Sequence, residues 1–347
     1  MRLGPIPESP LEGILLAAGV VPTPLADTMV ALLLARTVMA ATKVGVFEAL
    51  ADGSLTAEEV ASRCGTDARA TRKLLFALCG TRYVRAEGER YALTPMARRW
   101  LPEASRGSLR DAVLHRYLDA ALMEHAEEFL RTGTCVRFHE TMSPEQWGVY
   151  QRGQRAHTVY SAPEVARRTP VPPSARDMLD VGGGHGYYSV ALCRRHPSLR
   201  STILDLPQAV AESAPLLSRE DVAGRIAYRP GDARVAELGS EAYDLVFVGN
   251  LVHHLDESSG RALTRRIATA LRAGGYCVVL DFFRPASGRR AGQIVALLDF
   301  YFAITGPQGT WSLEEVAEWQ REGGLIARKP VKLRTAPGQA LQAARKP

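Results

Sequence analysis

From Asp177 onward the chain alternates short apolar runs with amphipathic ones. Asp177–Val181, Ser201–Leu204, Ile226–Arg229, Tyr243–Val248 and Tyr276–Phe283 read as strands, and Gly186–His196, Gln208–Leu217 and Ser258–Leu271 read as helices between them. "DLVFVG" and "YCVVLDFF" are apolar on both faces, as strands covered from both sides are. The pattern predicts an α/β fold built on a Rossmann-like doubly wound, mostly parallel sheet. Near the end, "WSLEEVAEWQREGGL" is an amphipathic helix stopped by glycines, and the last twenty residues read as a hairpin turning at Pro337–Gly338.

The first half follows a helical period. Leu25–Ala41 and Lys43–Leu50 are Ala- and Leu-rich helices. Thr56 followed by Glu59 is a capping-box signature for a short helix ending at Gly65, and Asp67 caps a second with Ala70, Leu74, Leu75 and Leu78 on its apolar side. "YVRAEGERYALT" then alternates around Gly88 as a hairpin. Helix, turn, helix, hairpin is the plan of a winged helix. Ser108–Arg131 is again helical, and "RTPVPP" at 168–173 breaks any helix. The expected organisation is a mainly α winged-helix unit over 1–105, linking helices that help shape a substrate pocket over 106–170, and a ligand-binding α/β domain over 171–347.

Composition narrows the classes. A content of 46% hydrophobic and 23% charged residues in 347 supports packed domains rather than a disordered chain. Lys plus Arg number 43 against 37 acids, a modest +6, and the basic pairs are scattered, which argues against a nucleic-acid track. Five cysteines with no C-x-x-C pair suggest free thiols in a reducing cytoplasm. The N-terminus, broken by Pro5, Pro7, Pro10, Gly13 and Gly19, does not read as a signal peptide. The apolar window 25–41 contains Asp27 and Arg36; it is expected to be too short and too charged for a bilayer, and to serve as a buried or interface helix.

The chemistry gathers in "DVGGGHG" at 180–186. In a doubly wound sheet, ligands sit beyond the carboxyl ends of the strands, beside the first strand–helix turn, and Gly182, Gly183 and Gly184 fall there. A dinucleotide fingerprint starting at Gly182 requires glycine where Tyr187 stands, and the phosphate-loop lysine is missing. Asp180, just before the loop, repels a pyrophosphate and favours a cation. Asp205, closing "STILD", suits the two hydroxyls of a ribose, and Asp232 in "RPGDAR" suits an adenine amino group. Any one of these acids alone is equally a helix cap or a solvated strand end. Together they describe a positively charged nucleoside without phosphate, and S-adenosylmethionine has all of its parts.

With "DVGGGHG", "LDLP" (204–207), "GDA" (231–233), "NLVHHLDE" (250–257) and "LRAGGYCVVLDFF" (271–283) in order, the chain resembles the class I S-adenosylmethionine-dependent methyltransferases. It is most similar to the small-molecule O-methyltransferases with an N-terminal winged-helix dimerisation domain. The resemblance runs from about Leu25 to the end. It implies a homodimer acting on a small aromatic or polyketide-like secondary metabolite, such as those of antibiotic biosynthesis, with no nucleic acid, membrane or metal involved. It implies that Asp180, Gly182–Gly184, Asp205, Leu206, Asp232, Ala233, Gly249 and Asn250 line the cofactor. His253 matches the family's base and Asp281 its carboxylate partner. His254 stands where Asp is frequent, and with Met123, Tyr150 and Phe302 it is expected at the substrate. The family's second carboxylate, in the loop before the last long helix, matches Gly309.

Competing readings remain at this stage. His253 and His254 also fit an ordinary polar turn, or a metal site pairing His253 with Glu257. His185 reads as a surface side chain. Met123 and Met142 fit core filling at least as well as a pocket. Arg69, Arg72 and Lys73 line the helix a DNA reader would use, so a ligand-sensing regulator is the alternative from another class. Within enzymes, C- or N-methylation is the alternative, since those acceptors need no such base.

Overall fold

The computed structural model describes residues 4–288 and 291–347, in which two compact units divide between Tyr117 and Leu118. The helix Arg110–Met123 runs across that division, downstream of the expected boundary at 105.

In the first unit the caps read from the sequence form. The Thr56 hydroxyl accepts the Glu59 N–H (3.2 Å), the Glu59 carboxylate accepts the Thr56 N–H (2.8 Å), and the helix Ala57–Cys64 ends at a left-handed Gly65. Asp67 caps Ala68–Gly80 by accepting from Ala70 N at 2.8 Å. The strands Val84–Glu87 and Arg90–Leu93 close the hairpin over Gly88, and Leu55–Thr56 adds a third strand. Val46, Phe47, Leu50, Val60, Leu75, Leu78 and Leu93 fill the core between them. Ala70 lies on the solvent side of its helix rather than in this core. Arg72 pairs with Glu58 on the surface, and Tyr117 is covered by Arg36 and Lys43, 5.0 and 4.8 Å from its ring centre.

The N-terminal apolar helix is longer than expected. It runs from Thr23 to Lys43, with a π-turn over Ala26–Val30, and by length and composition alone it is long and apolar enough to cross a membrane. Leu25, Met29, Leu32 and Leu33 on it are more than half exposed, so this face has no partner within the described chain.

The second unit is built on an eight-stranded sheet. Its parallel part runs Ile226–Pro230, Arg200–Asp205, Asp177–Val181, Tyr243–Gly249, Leu271–Phe282, so the strand order reverses between Asp177–Val181 and Tyr243–Gly249. The crevice at such a reversal is where doubly wound sheets bind ligands. Gln339–Arg345 adds antiparallel to Leu271–Phe282, and the hairpin with Val331–Lys332 closes as read, at a left-handed Gly338. The strand Leu271–Phe282 starts five residues earlier than the apolar run implied, because Leu271 already pairs with Tyr243 before a register shift to Tyr276 opposite Leu245. The run read as helical over 108–131 is two helices, Arg110–Met123 and Ala126–Thr132.

Both sheet faces are covered. Leu179, Val181, Val246 and Val248 pack toward Leu263, Ile267, Val316 and Trp319, while Met178, Leu245, Phe247 and Val278 pack toward Ala162, Val165 and Leu192. Helices Glu257–Ala270 and Leu313–Glu322 meet so closely that a Cβ on Gly260 would lie 2.6 Å from the Trp319 ring, itself 1% exposed. In an open helix Gly→Ala gains up to about 1 kcal/mol. Here overpacking costs about 1–3 kcal/mol and wins. Gly260→Ala is therefore expected to lower the thermal midpoint, and an unchanged or raised midpoint in calorimetry contradicts this packing.

Candidate active site

The glycine loop bends as its sequence requires. Gly182, Gly184 and Gly186 all have positive φ (67°, 47° and 73°), a region L side chains enter at a cost. A Cβ on Gly182 would meet the Leu251 side chain at 2.9 Å, so the loop sits against the turn that carries the histidines. The glycine that allows close helix–strand packing is Gly186, whose Cβ would lie 2.8 Å from Ile203. The packing therefore does not depend on position 187, where the sequence reading looked for it. Tyr187 instead stacks under the Arg155 guanidinium, 5.1 Å from its ring centre.

The three acids differ in setting. Asp205 is fixed at the strand tip: its carboxylate accepts from Gly184 N (2.6 Å) and Leu206 N (2.7 Å). Burial pushes it up to about 6 against those two N–H groups. Asp232 is engaged by Arg234, whose N–H and guanidinium both reach it, and Ala233 offers its carbonyl to Arg266. Asp180 is not presented beside them. It is 1% exposed beneath the loop, where a Cβ on Gly183 would meet its carboxylate at 2.6 Å. One oxygen accepts from Ser189 Oγ at 2.6 Å and the other has no partner. Burial drives it up to about 7, opposed by the Ser189 bond and reinforced by Asp205.

An orphaned, buried acid oxygen behind a loop that excludes side chains fits a cationic ligand and fits an anion poorly. Gly249 and Asn250 continue the rim. A Cβ on Gly249 would press on Phe247 and Tyr188, and Asn250 holds a left-handed φ of 53° with its side-chain oxygen accepting from Gln339 at 2.8 Å. Gln151, from the helix Pro144–Arg168, overhangs Gly184 with its Oε1 2.8 Å from where a Cβ would be. Nothing in the sequence pointed to Gln151, because it lies before the α/β segment.

Beyond the strand Tyr243–Gly249, a short 3₁₀ turn carries Val252–His254. Trp311 Nε1 donates to the Val252 carbonyl at 3.0 Å and anchors that turn. His253 is 4% exposed, with Nδ1 2.8 and 3.0 Å from the two oxygens of Asp281, which is fully buried at the end of Leu271–Phe282. A carboxylate only accepts, so Nδ1 carries the proton and Nε2 is the free base position. Phe302 stacks on the His253 ring at 3.8 Å and 17°. The structure takes His253 to Asp281 rather than to Glu257, which pairs with Arg261.

Around this pair lie His254, Phe302 and, through His139, Tyr150 of the expected substrate residues, and one residue unforeseen. His254 is 4.1 Å from His253 by ring centres, and His139 is 4.6 Å from His254 and edge-on to it. Tyr150, Trp147 and Phe138 enclose His139. His139, in the short helix Phe138–Thr141, carried no sequence signal. Burial lowers it to about 3, with the His253 charge adding, and the same causes together with His139 hold His254 well below the usual range. Met123 ends its helix 38% exposed and Met142 is partly exposed, so the competing reading of both as core fillers fails. His185 is not a surface side chain: it is 8% exposed, bonded to Thr158 and accepting from Tyr187 N, and burial lowers it to about 3.

Gly309 has φ +90°, and a Cβ there would lie 3.0 Å from Asp299. The loop holds no carboxylate of its own at that position. Asp299, from helix Gln293–Thr305, reaches in to accept from Thr310 N at 2.7 Å.

Comparisons with known proteins identify the family and the fold. Residues 115–320 match the model of the O-methyltransferase domain and 26–103 that of the O-methyltransferase dimerisation domain. A 3-hydroxy-5-methyl-1-naphthoate 3-O-methyltransferase of Streptomyces sahachiroi is 28% identical over 91% of this chain and 93% of its own. The N,N-dimethyltransferase OxyT of Streptomyces rimosus is 26% identical over 90% and 93%. The solved structure of human N-acetylserotonin methyltransferase in complex with SAM superposes with a TM-score of 0.81 at 18% identity, covering 93% of this chain and 96% of that one, a likeness of fold.

The setting of Asp180 has a measurable consequence. Native Asp180 keeps its proton up to about 7, whereas the unfolded chain releases it near 3.8, so stability falls as pH rises across that window. Asp180→Asn removes the penalty. It is expected to raise the melting midpoint of the ligand-free protein at about pH 8 and to leave it nearly unchanged at about pH 4. A gain that is the same at both contradicts the assignment.

Proposed function

The chain belongs to the O-methyltransferase family, enzymes that methylate small molecules with S-adenosylmethionine, and on that premise we propose that His253 and Asp281 carry the proton chemistry of methyl transfer to an aromatic or polyketide hydroxyl. The observation that carries this reading is the buried contact between His253 Nδ1 and both oxygens of Asp281. A phenol with a pKa of about 10 is mostly protonated at neutral pH and is a weak nucleophile. His253 Nε2 takes the phenol proton, while Asp281 keeps the imidazole in the productive tautomer and offsets the positive charge it gains. Phe302 holds the ring plane.

Bound S-adenosylmethionine supplies a methyl group on a positively charged sulfur. The residues suited to hold it are the Gly182–Gly184 loop with Asp180 behind it, Asp205 with Leu206 at the ribose, Asp232 with Ala233 at the adenine, and the Gly249–Asn250 rim. Leu251, wedged against Gly182, couples that loop to the histidine turn.

Relatives of this chain are named for transfer to oxygen, to nitrogen and to carbon. A neutral amine needs no base, whereas a phenol does, so the His253–Asp281 pair favours oxygen over nitrogen. Several relatives act in antibiotic and polyketide biosynthesis, by their names on naphthoate, mitomycin and tetracenomycin scaffolds, and a fused aromatic acceptor of this kind suits the aromatic surroundings of His253. The exposed apolar face of Thr23–Lys43, most of which lies in the dimerisation-domain match over 26–103, is the surface on which two copies of the chain pair.

His253→Ala tests the assignment directly. Cofactor affinity by calorimetry is expected to stay within about twofold, while turnover falls by about 10²–10⁴. Turnover at the wild-type level removes His253 from the mechanism.

A further inference from the structure

Asp205 and Asp232 follow neighbouring parallel strands, yet they use their acceptor capacity differently. An ionised carboxylate can accept about four hydrogen bonds. Asp205 accepts two, from the N–H groups of Gly184 and Leu206, and has room for a diol. Asp232 has no such room. Its Oδ1 accepts from the Arg234 N–H (2.8 Å) and from Arg234 Nε (3.1 Å), and its Oδ2 meets Nε (2.9 Å) and Nη2 (2.7 Å) of the same guanidinium. One residue, two positions along the chain, fills the acid that a ligand would need.

The backbone beneath this clasp is fixed from both sides. Gly231 N donates to the Asp205 carbonyl at 2.8 Å, and a Cβ on Gly231 would lie 2.9 Å from the Leu204 side chain. Arg266, on the helix Glu257–Ala270, donates to the carbonyls of Ala233, Arg234 and Ala236 at 2.5–2.9 Å. Asp232 is therefore held in place, while the Arg234 side chain over it is free to leave. That side chain is half-exposed, and among the described residues its guanidinium bonds to Asp232 alone. The charge of Glu140 also acts on it, so a guanidinium swung off Asp232 keeps an anion nearby.

Resting on the reading of Asp232 as the acceptor for the adenine amino group, we propose that Arg234 is an internal competitor for that acid. Its guanidinium occupies Asp232 in the empty enzyme, swings aside when adenine arrives and returns as the spent cofactor leaves. An exposed ion pair is weak enough to be exchanged in this way. A guanidinium and an amino group both donate N–H bonds, so one replaces the other without leaving the carboxylate unpaired. The methyl donor and its demethylated product both carry adenine. The clasp therefore lowers both affinities alike and favours exchange over retention.

The test is calorimetry on the full chain with two ligands, S-adenosylhomocysteine and its 6-deamino analogue, in which purine replaces adenine. The analogue has no amino group to offer Asp232 and leaves the clasp shut. Arg234→Ala is expected to bind S-adenosylhomocysteine about three- to fivefold more tightly than wild type, the worth of one exposed ion pair, with the affinity for the analogue unchanged. Arg234→Lys keeps the charge but not the fork, and is expected to fall between. An affinity for S-adenosylhomocysteine that stays the same or weakens in Arg234→Ala, or a gain equal for both ligands, overturns the proposal. Asp232→Ala separates this claim from the reading it rests on. A wild-type preference for S-adenosylhomocysteine over the analogue that persists in that variant removes Asp232 from the adenine. Where that preference is lost, an unchanged Arg234→Ala counts against the clasp alone.

Discussion

A histidine and an aspartate, both almost entirely removed from water, face each other at the ends of neighbouring parallel strands. Taking a carboxylate out of water is expensive unless hydrogen bonds compensate. Asp281 accepts from His253 Nδ1 and from its own Phe282 N–H, so its acceptor capacity meets donors only. The arrangement commits His253 to one tautomer and leaves a single basic nitrogen. Much of the surrounding structure serves that commitment: Trp311 anchors the turn, Phe302 stacks on the ring, and Gly306 approaches so closely that a Cβ would lie 3.1 Å from the His253 carbonyl.

The glycine-loop side follows another logic. Asp205 is held by two backbone N–H groups and retains capacity for further donors, as a diol requires. Asp180 is stored beneath the loop with an unpaired oxygen and an elevated pKa. A cation arriving above that loop favours ionised Asp180, so ligand binding and the charge of this residue are coupled. The two halves meet where Leu251 packs on Gly182, one residue before the turn that carries His253.

The doubly wound sheet was legible because its strands are apolar on both faces and its glycines fall at the first strand–helix turn. The Thr56–Glu59 capping box, the Asp67 cap and the two hairpins were legible because cap and turn chemistry is local. His253 and Asp281 lie 28 positions apart, and their proximity followed from resemblance to a family, since spacing alone does not bring two strand ends together. The contributions of Gln151 and His139 were invisible. Both come from helices outside the α/β pattern, and a lone Gln or His on such a helix has no periodic signature. The burial of His185 and Asp180 was missed for a related reason. His185, flanked by glycines, reads as exposed, and Asp180 reads as a carboxylate at an open strand end, but here the helix Pro144–Arg168 supplies Thr158 to cover His185, and the loop itself closes over Asp180.

The most direct test of this account is the turnover of Asp281→Asn at saturating methyl donor and acceptor. An amide in place of the carboxylate preserves shape but loses the charge and the enforced tautomer. Turnover is expected to fall by about 10²–10⁴, with S-adenosylmethionine affinity and the melting midpoint close to wild type. Turnover within about twofold of wild type in a folded, cofactor-binding variant contradicts the claim that this buried pair activates the acceptor.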